Sequence, residues 1–67
     1  MIVVFVEITG RALGRFEVTS KIPNVGEEVR LHVGKSVETF VVKKLVFEFF
    51  GSNDRHLLEI QVESIGV

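Results

Sequence analysis

Val37-Glu38-Thr39-Phe40-Val41-Val42-Lys43-Lys44-Leu45-Val46-Phe47-Glu48-Phe49-Phe50 runs for 14 residues with neither glycine nor proline. Nine of the 14 are Val, Thr or Phe, which fit a pleated surface and lose side-chain freedom in a helix. The alternative is a helix over 37–50, with Ser36 as N-cap and Gly51 just past its end, which would make the fold α+β. Its apolar positions would go nearly all round the cylinder and leave no polar face. The segment therefore reads as a strand. Extended, it would measure about 46 Å at ~3.3 Å per residue. A compact chain of this length has a radius of gyration of about 11 Å, so a diameter of about 28 Å. The strand has to bend. Lys43-Lys44 is the place, because there the apolar phase slips from Phe40 and Val42 to Leu45, Phe47 and Phe49, as a β-bulge would make it.

The flanking sequence gives four more strands. Ile2 to Thr9 is apolar at both parities, Ile2, Val4, Val6 and Ile8 against Val3 and Phe5, as in a strand covered on two sides. Gly10 to Gly14 carries a turn, and Phe16 and Val18 then alternate with Arg15, Glu17 and Thr19. These two segments form a hairpin. After the loop at Pro23-Asn24-Val25-Gly26, Val29, Leu31 and Val33 alternate with Glu28, Arg30 and His32. Gly34-Lys35-Ser36 turns the chain into the long strand, and Gly51-Ser52-Asn53-Asp54 turns it out again. The closing strand points Leu58, Ile60 and Val62 inward and Glu59, Gln61 and Glu63 outward. No repeat or linker interrupts residues 1–67, which make a single small domain.

Composition narrows the function. Thirteen Val, five Ile and six Phe beside one Ala favour strands throughout. Cysteine is absent, so neither a disulfide nor a thiolate metal cluster is available. A core this small without a staple is commonly helped by self-association or by a partner. Eight Lys and Arg against nine Asp and Glu leave a net charge of −1 and no general attraction to nucleic acid or an anionic membrane. The apolar run Met1–Val6 is too short to span a bilayer and has no basic residue ahead of it, as a secretory signal would. A cytoplasmic protein with no membrane association is expected.

Chemical motifs are sparse. Gly34-Lys35-Ser36 resembles the tail of a phosphate loop, but the position five residues earlier is Val29 where glycine is needed. It reads as a hairpin turn. His32 and His56 lie 24 residues apart and would need two carboxylates to complete a zinc site. Asp54-Arg55-His56 with Glu59 offers acid and base groups but no nucleophile, oriented base and pocket together. No catalytic residue, metal site or cofactor is expected. Arg11, Arg15, Lys43 and Lys44, interleaved with phenylalanines, are the candidate nucleic-acid contacts of an alternative function, and the Arg11–Arg15 turn is expected to have no acid beside it.

The strongest signal for binding is surplus apolar surface. If one parity of each strand fills the core, with Phe16, Phe47 and Phe49 at inward positions, then Phe5, Phe40, Val46 and Phe50 are left over. A contiguous apolar face of that kind usually marks an interaction site. Those four residues are the candidate protein-binding face.

The order of elements, with Pro23-Asn24-Val25-Gly26-Glu27-Glu28-Val29 opening the third strand, resembles the small SH3-like barrels of bacteriophages and mobile elements. Their Pro-x-x-Gly-acidic-x-Val step commonly stands at that point. The resemblance implies an all-β, five-stranded antiparallel, partly open SH3-like barrel acting as a non-catalytic adaptor, host-factor inhibitor or nucleic-acid binder in the host cytoplasm. It implies a protein partner, or a homo-oligomer. Tyr and Trp are missing, so the aromatic groove of peptide-binding relatives has no counterpart.

Overall fold

The structure, a computed structural model, describes residues 1–51 and 55–65, with Arg55 and His56 described by their backbone alone. It contains strands β1 (Ile2–Glu7), β2 (Ala12–Glu17), β3 (Glu28–Val33), β4 (Ser36–Phe50) and β5 (Arg55–Ser64). They form one sheet in the order β2-β1-β5-β4-β3, curled into a half-barrel. The fold is all-β, and no helix occurs among the described residues. None is therefore long and apolar enough to cross a membrane. The helical alternative over 37–50 is overturned: those residues pair with β3 and β5 along almost their whole length.

The sheet is mixed rather than antiparallel. β1 and β5 run parallel, with Val3 opposite Leu58, Phe5 opposite Ile60 and Glu7 opposite Val62. The other neighbours are antiparallel. Side-chain alternation is the same in both arrangements, so the pattern of β5 does not reveal the direction of its second neighbour. The connection from Val18 to Glu27 decides it, by bringing β3 in parallel to β1.

The bend in β4 falls where the apolar phase slips. Val42 faces Val62 and Lys44 faces Gln61, leaving Lys43 as the extra residue of a bulge. On the β3 side the loop closes at the same point, with Gly26 N–H donating to Val42 O at 2.8 Å and Val42 N–H to Glu27 O at 2.9 Å. Within that loop the Asn24 N–H donates to the Glu27 carboxylate at 2.6 Å. The bend does not, however, fold the strand into a sphere. The molecule measures 43 × 24 × 23 Å with a radius of gyration of 12.2 Å. Its long axis accommodates β4, and the far part of the β4–β5 hairpin extends past the shorter strands.

Val3, Phe5, Leu13, Leu31, Phe40, Val42, Leu58, Ile60 and Val62 form the core on the inner face. Cross-strand rows explain the set, because directly opposed residues share a face. One row reads Phe47, Leu58, Val3, Phe16, and the next Leu45, Ile60, Phe5, Gly14. Phe5 and Phe16 meet edge to face with centroids 5.4 Å apart. The turn after β1 is tighter than the expected Gly10–Gly14: Gly10 N–H donates to Glu7 O, Glu7 N–H to Arg11 O, and β2 already begins at Ala12. A second bulge, between Phe5 and Val6, leaves Leu13 unopposed and buries it. Gly14 follows at φ 126°, where a Cβ would be strained by the backbone itself. Gly14→Ala should cost about 1–3 kcal/mol and lower the melting temperature by at least about 5 °C in a calorimetric scan. An unchanged melt would contradict this backbone geometry.

Candidate functional site

The four residues of the expected binding face do not share a face. Phe5 is 4% exposed and Phe40 0%, both inside the core, and this corrects their assignment as left-over surface. Val46 and Phe50 lie on the outer face, opposite Glu59 and Arg55. Val46 is half-buried there and Phe50 exposed. The reason is their position in the sheet: Phe5 stands opposite Ile60, and Phe40 between Val29 and Ser64, on the face that the curl encloses.

Phe47 and Phe49 reverse the other way. Both sit at the inward parity expected of them, yet they are 50% and 76% exposed. Phe47 is opposite Leu58, and beyond that row β1 has ended and the inner face runs out of strands to cover it. Their rings stack on each other, 6.4 Å apart and inclined by 15°. Alternation tells which face a residue takes, but not how far the core extends along it. The signal that finds Phe47 and Phe49 is the excess of strand length over domain width.

The far half of β4 is thus an aromatic arm. Phe47 and Phe49 lie on its inner face and Phe50, with Val46, on its outer face. Among the described residues β3 flanks β4 only from Ser36 to Val41, so the arm from Lys44 onward is backed by β5 alone. Lys44 and Glu48, both exposed, bracket Val46 on the outer face.

The basic residues of the nucleic-acid alternative are dispersed and partly neutralised. Arg11 does have acids nearby in space: its Nε lies 2.9 Å from Glu7 and its Nη2 2.8 Å from Glu38. The hydrogen bond to Glu38, first, raises the Arg11 pKa from its ordinary value; desolvation opposes it, and the charges of Glu38 and Glu7 add to the rise. Lys43 pairs with Glu63 at 3.4 Å. Arg15 and Lys44 stand on the outer face with β1 and β5 between their strands, so no continuous basic track joins them.

Gly34-Lys35-Ser36 is the β3–β4 turn, with Gly34 at φ 60°. It opens a strand, where no helix N-terminus faces a phosphate. His32 is exposed opposite Val37. The side chains of the Asp54-Arg55-His56 group lie outside the described residues. Among the described residues no three His, Asp or Glu side chains are grouped to hold a metal. Scans of protein-family models, curated proteins and solved structures find no match to this chain.

Proposed function

We propose that the protein is a non-catalytic interaction module that binds protein, and first of all itself, through the aromatic arm of the β4–β5 hairpin. The observation that carries this is the exposure of Phe47, Phe49 and Phe50 together at one end of an elongated sheet. Three rings about half or more exposed to water on one short segment are costly for an isolated chain and favourable once covered, at roughly 25 cal/mol per Å² of apolar surface removed from water. Aromatic side chains, phenylalanine among them, are also enriched in the buried part of interfaces. Kinship with the small SH3-like barrels is part of the proposal, supported by the curl of the sheet and by the Pro23–Val29 step.

Sedimentation velocity over a range of concentrations tests the reading. The native chain should assemble as concentration rises, and Phe49→Asp should remain a cooperatively folded monomer, losing its stack on Phe47 but little of the core. A native chain that stays monomeric throughout, or a Phe49→Asp variant that assembles equally well, would refute self-association through the arm.

A further inference from the structure

The occupant of the arm follows from its edge. Val42 directs its N–H and C=O to the β3 side, where Glu27 and Gly26 take them. With Lys43 absorbed by the bulge, Leu45 and Phe47 are the next residues in that phase, and no strand lies beside them among the described residues. An edge of this kind is a template for another strand. It is also short, twisted at the bulge and flanked by lysines, which restricts what can pair with it.

We infer that the partner is a second copy of this chain, joined edge to edge along β4 about a two-fold axis through Val46. This rests on the self-association proposed above and specifies its geometry. Antiparallel pairing of like edges must place outward-directed residues opposite each other, so the candidate registers centre on residue 45, 46, 47 or 48. Centring on Leu45 sets Lys44 against Val46, and centring on Phe47 sets Val46 against Glu48 and Lys44 against Phe50. Centring on Glu48 opposes two like charges. Centring on Val46 sets Lys44 of each copy opposite Glu48 of the other, Leu45 opposite Phe47, and Val46 opposite itself. Over residues 44–48 it alone matches charge with charge and apolar with apolar, and the match is repeated by symmetry. Gly26 and Glu27 occupy the edge at Val42, so the shared ladder ends there. Phe50 of the other copy arrives beside that loop, where Val25 is 59% exposed. The product is one continuous sheet through both protomers, of the strand-addition type.

Charge exchange tests this register on exposed side chains that the fold does not need. Lys44→Glu and Glu48→Lys, each measured alone by sedimentation equilibrium, should weaken the dimer about tenfold, because both symmetric pairs become like-charged. The double exchange should bring affinity back to within about threefold of the native value. In the second measurement, Val46→Cys, the sole thiol in the chain, should oxidise rapidly to a covalent dimer across the axis, whereas Val37→Cys should not. If the native chain assembles but the exchanges are additive, or Val46→Cys stays unlinked, the register is wrong while self-association stands. If either single exchange tightens the dimer, the charges guard the edge against pairing and the inference falls. A native chain that never assembles removes both readings.

Discussion

Replacing Phe40 by aspartate is expected to abolish folding. The ring is fully buried between strands that supply Val42, Val62 and Leu31 to the same core. Removing a buried aromatic side chain costs about 3–5 kcal/mol. Leaving a carboxyl group there without a partner adds several more, whether it ionises or takes up a proton. A chain of this length has a total stability of roughly 3–10 kcal/mol, so the sum meets or exceeds what is available. Far-UV circular dichroism should show loss of the strand signal, and urea should give no cooperative transition. The comparison with Phe49→Asp gives the result its meaning. The same chemical change, nine residues along the same strand, should leave a cooperative fold, lose only the stack on Phe47 and abolish assembly. A cooperatively folded, monomeric Phe40→Asp would return that ring to the surface and invalidate the core as described.

The second large effect concerns the place of β5. Glu59 stands opposite Val46 on one side and Val4 on the other, in a strand bonded along both edges. Proline there removes a ladder hydrogen bond and inserts a ring into the middle of the sheet, at a cost of about 3 kcal/mol or more. The Glu59 side chain points to the outer face, so almost no core volume is lost with it. Arg30→Pro is the matched control. β3 is an edge strand, and Arg30 alternates with Val29 and Leu31, the residues in phase with the bonds to β4. Its N–H faces away from the ladder, and the substitution should cost less than about 1 kcal/mol. Urea midpoints for the two variants should differ accordingly. Equal losses would mean that β5 is not central, or that β3 is not an edge.

That contrast shows where sequence reasoning reached and where it stopped. Alternation in Val29–Val33 and Leu58–Val62 gave the buried faces directly, because side-chain period in a strand is a local property. The bulge at Lys43 was legible for the same reason: a phase slip within an otherwise regular pattern has few other geometric causes. The near-continuous apolar run of β1 reads as a strand covered on two sides, but parity alone gives neither its partner nor that partner's direction, and the expected antiparallel sheet is mixed. The pairing of Arg11 with Glu38, which lie far apart along the chain, was invisible for the same reason.

The candidate site was only half legible. Counting surplus rings announced an uncovered apolar surface, and Val46 and Phe50 were placed on it. Phe5 and Phe40 were assigned to it because both parities of β1 and β4 are apolar, and the pattern does not say which parity the curl encloses. Phe47 and Phe49 were assigned to the core because they carry the inward phase. Only the lengths of the neighbouring strands, set by pairing across the sheet, show that the inward face ends before it reaches them.

The sequence by itself determined five strands, the alternation of side chains along them and the bend in the longest one, since each depends on the spacing of side chains within a few residues. Tertiary structure alone decided that β5 lies between β1 and β4, that Phe5 and Phe40 are enclosed, and that the aromatic end of β4 stands clear. These are consequences of which strands lie side by side and how far they overlap, and no local pattern of side chains encodes overlap.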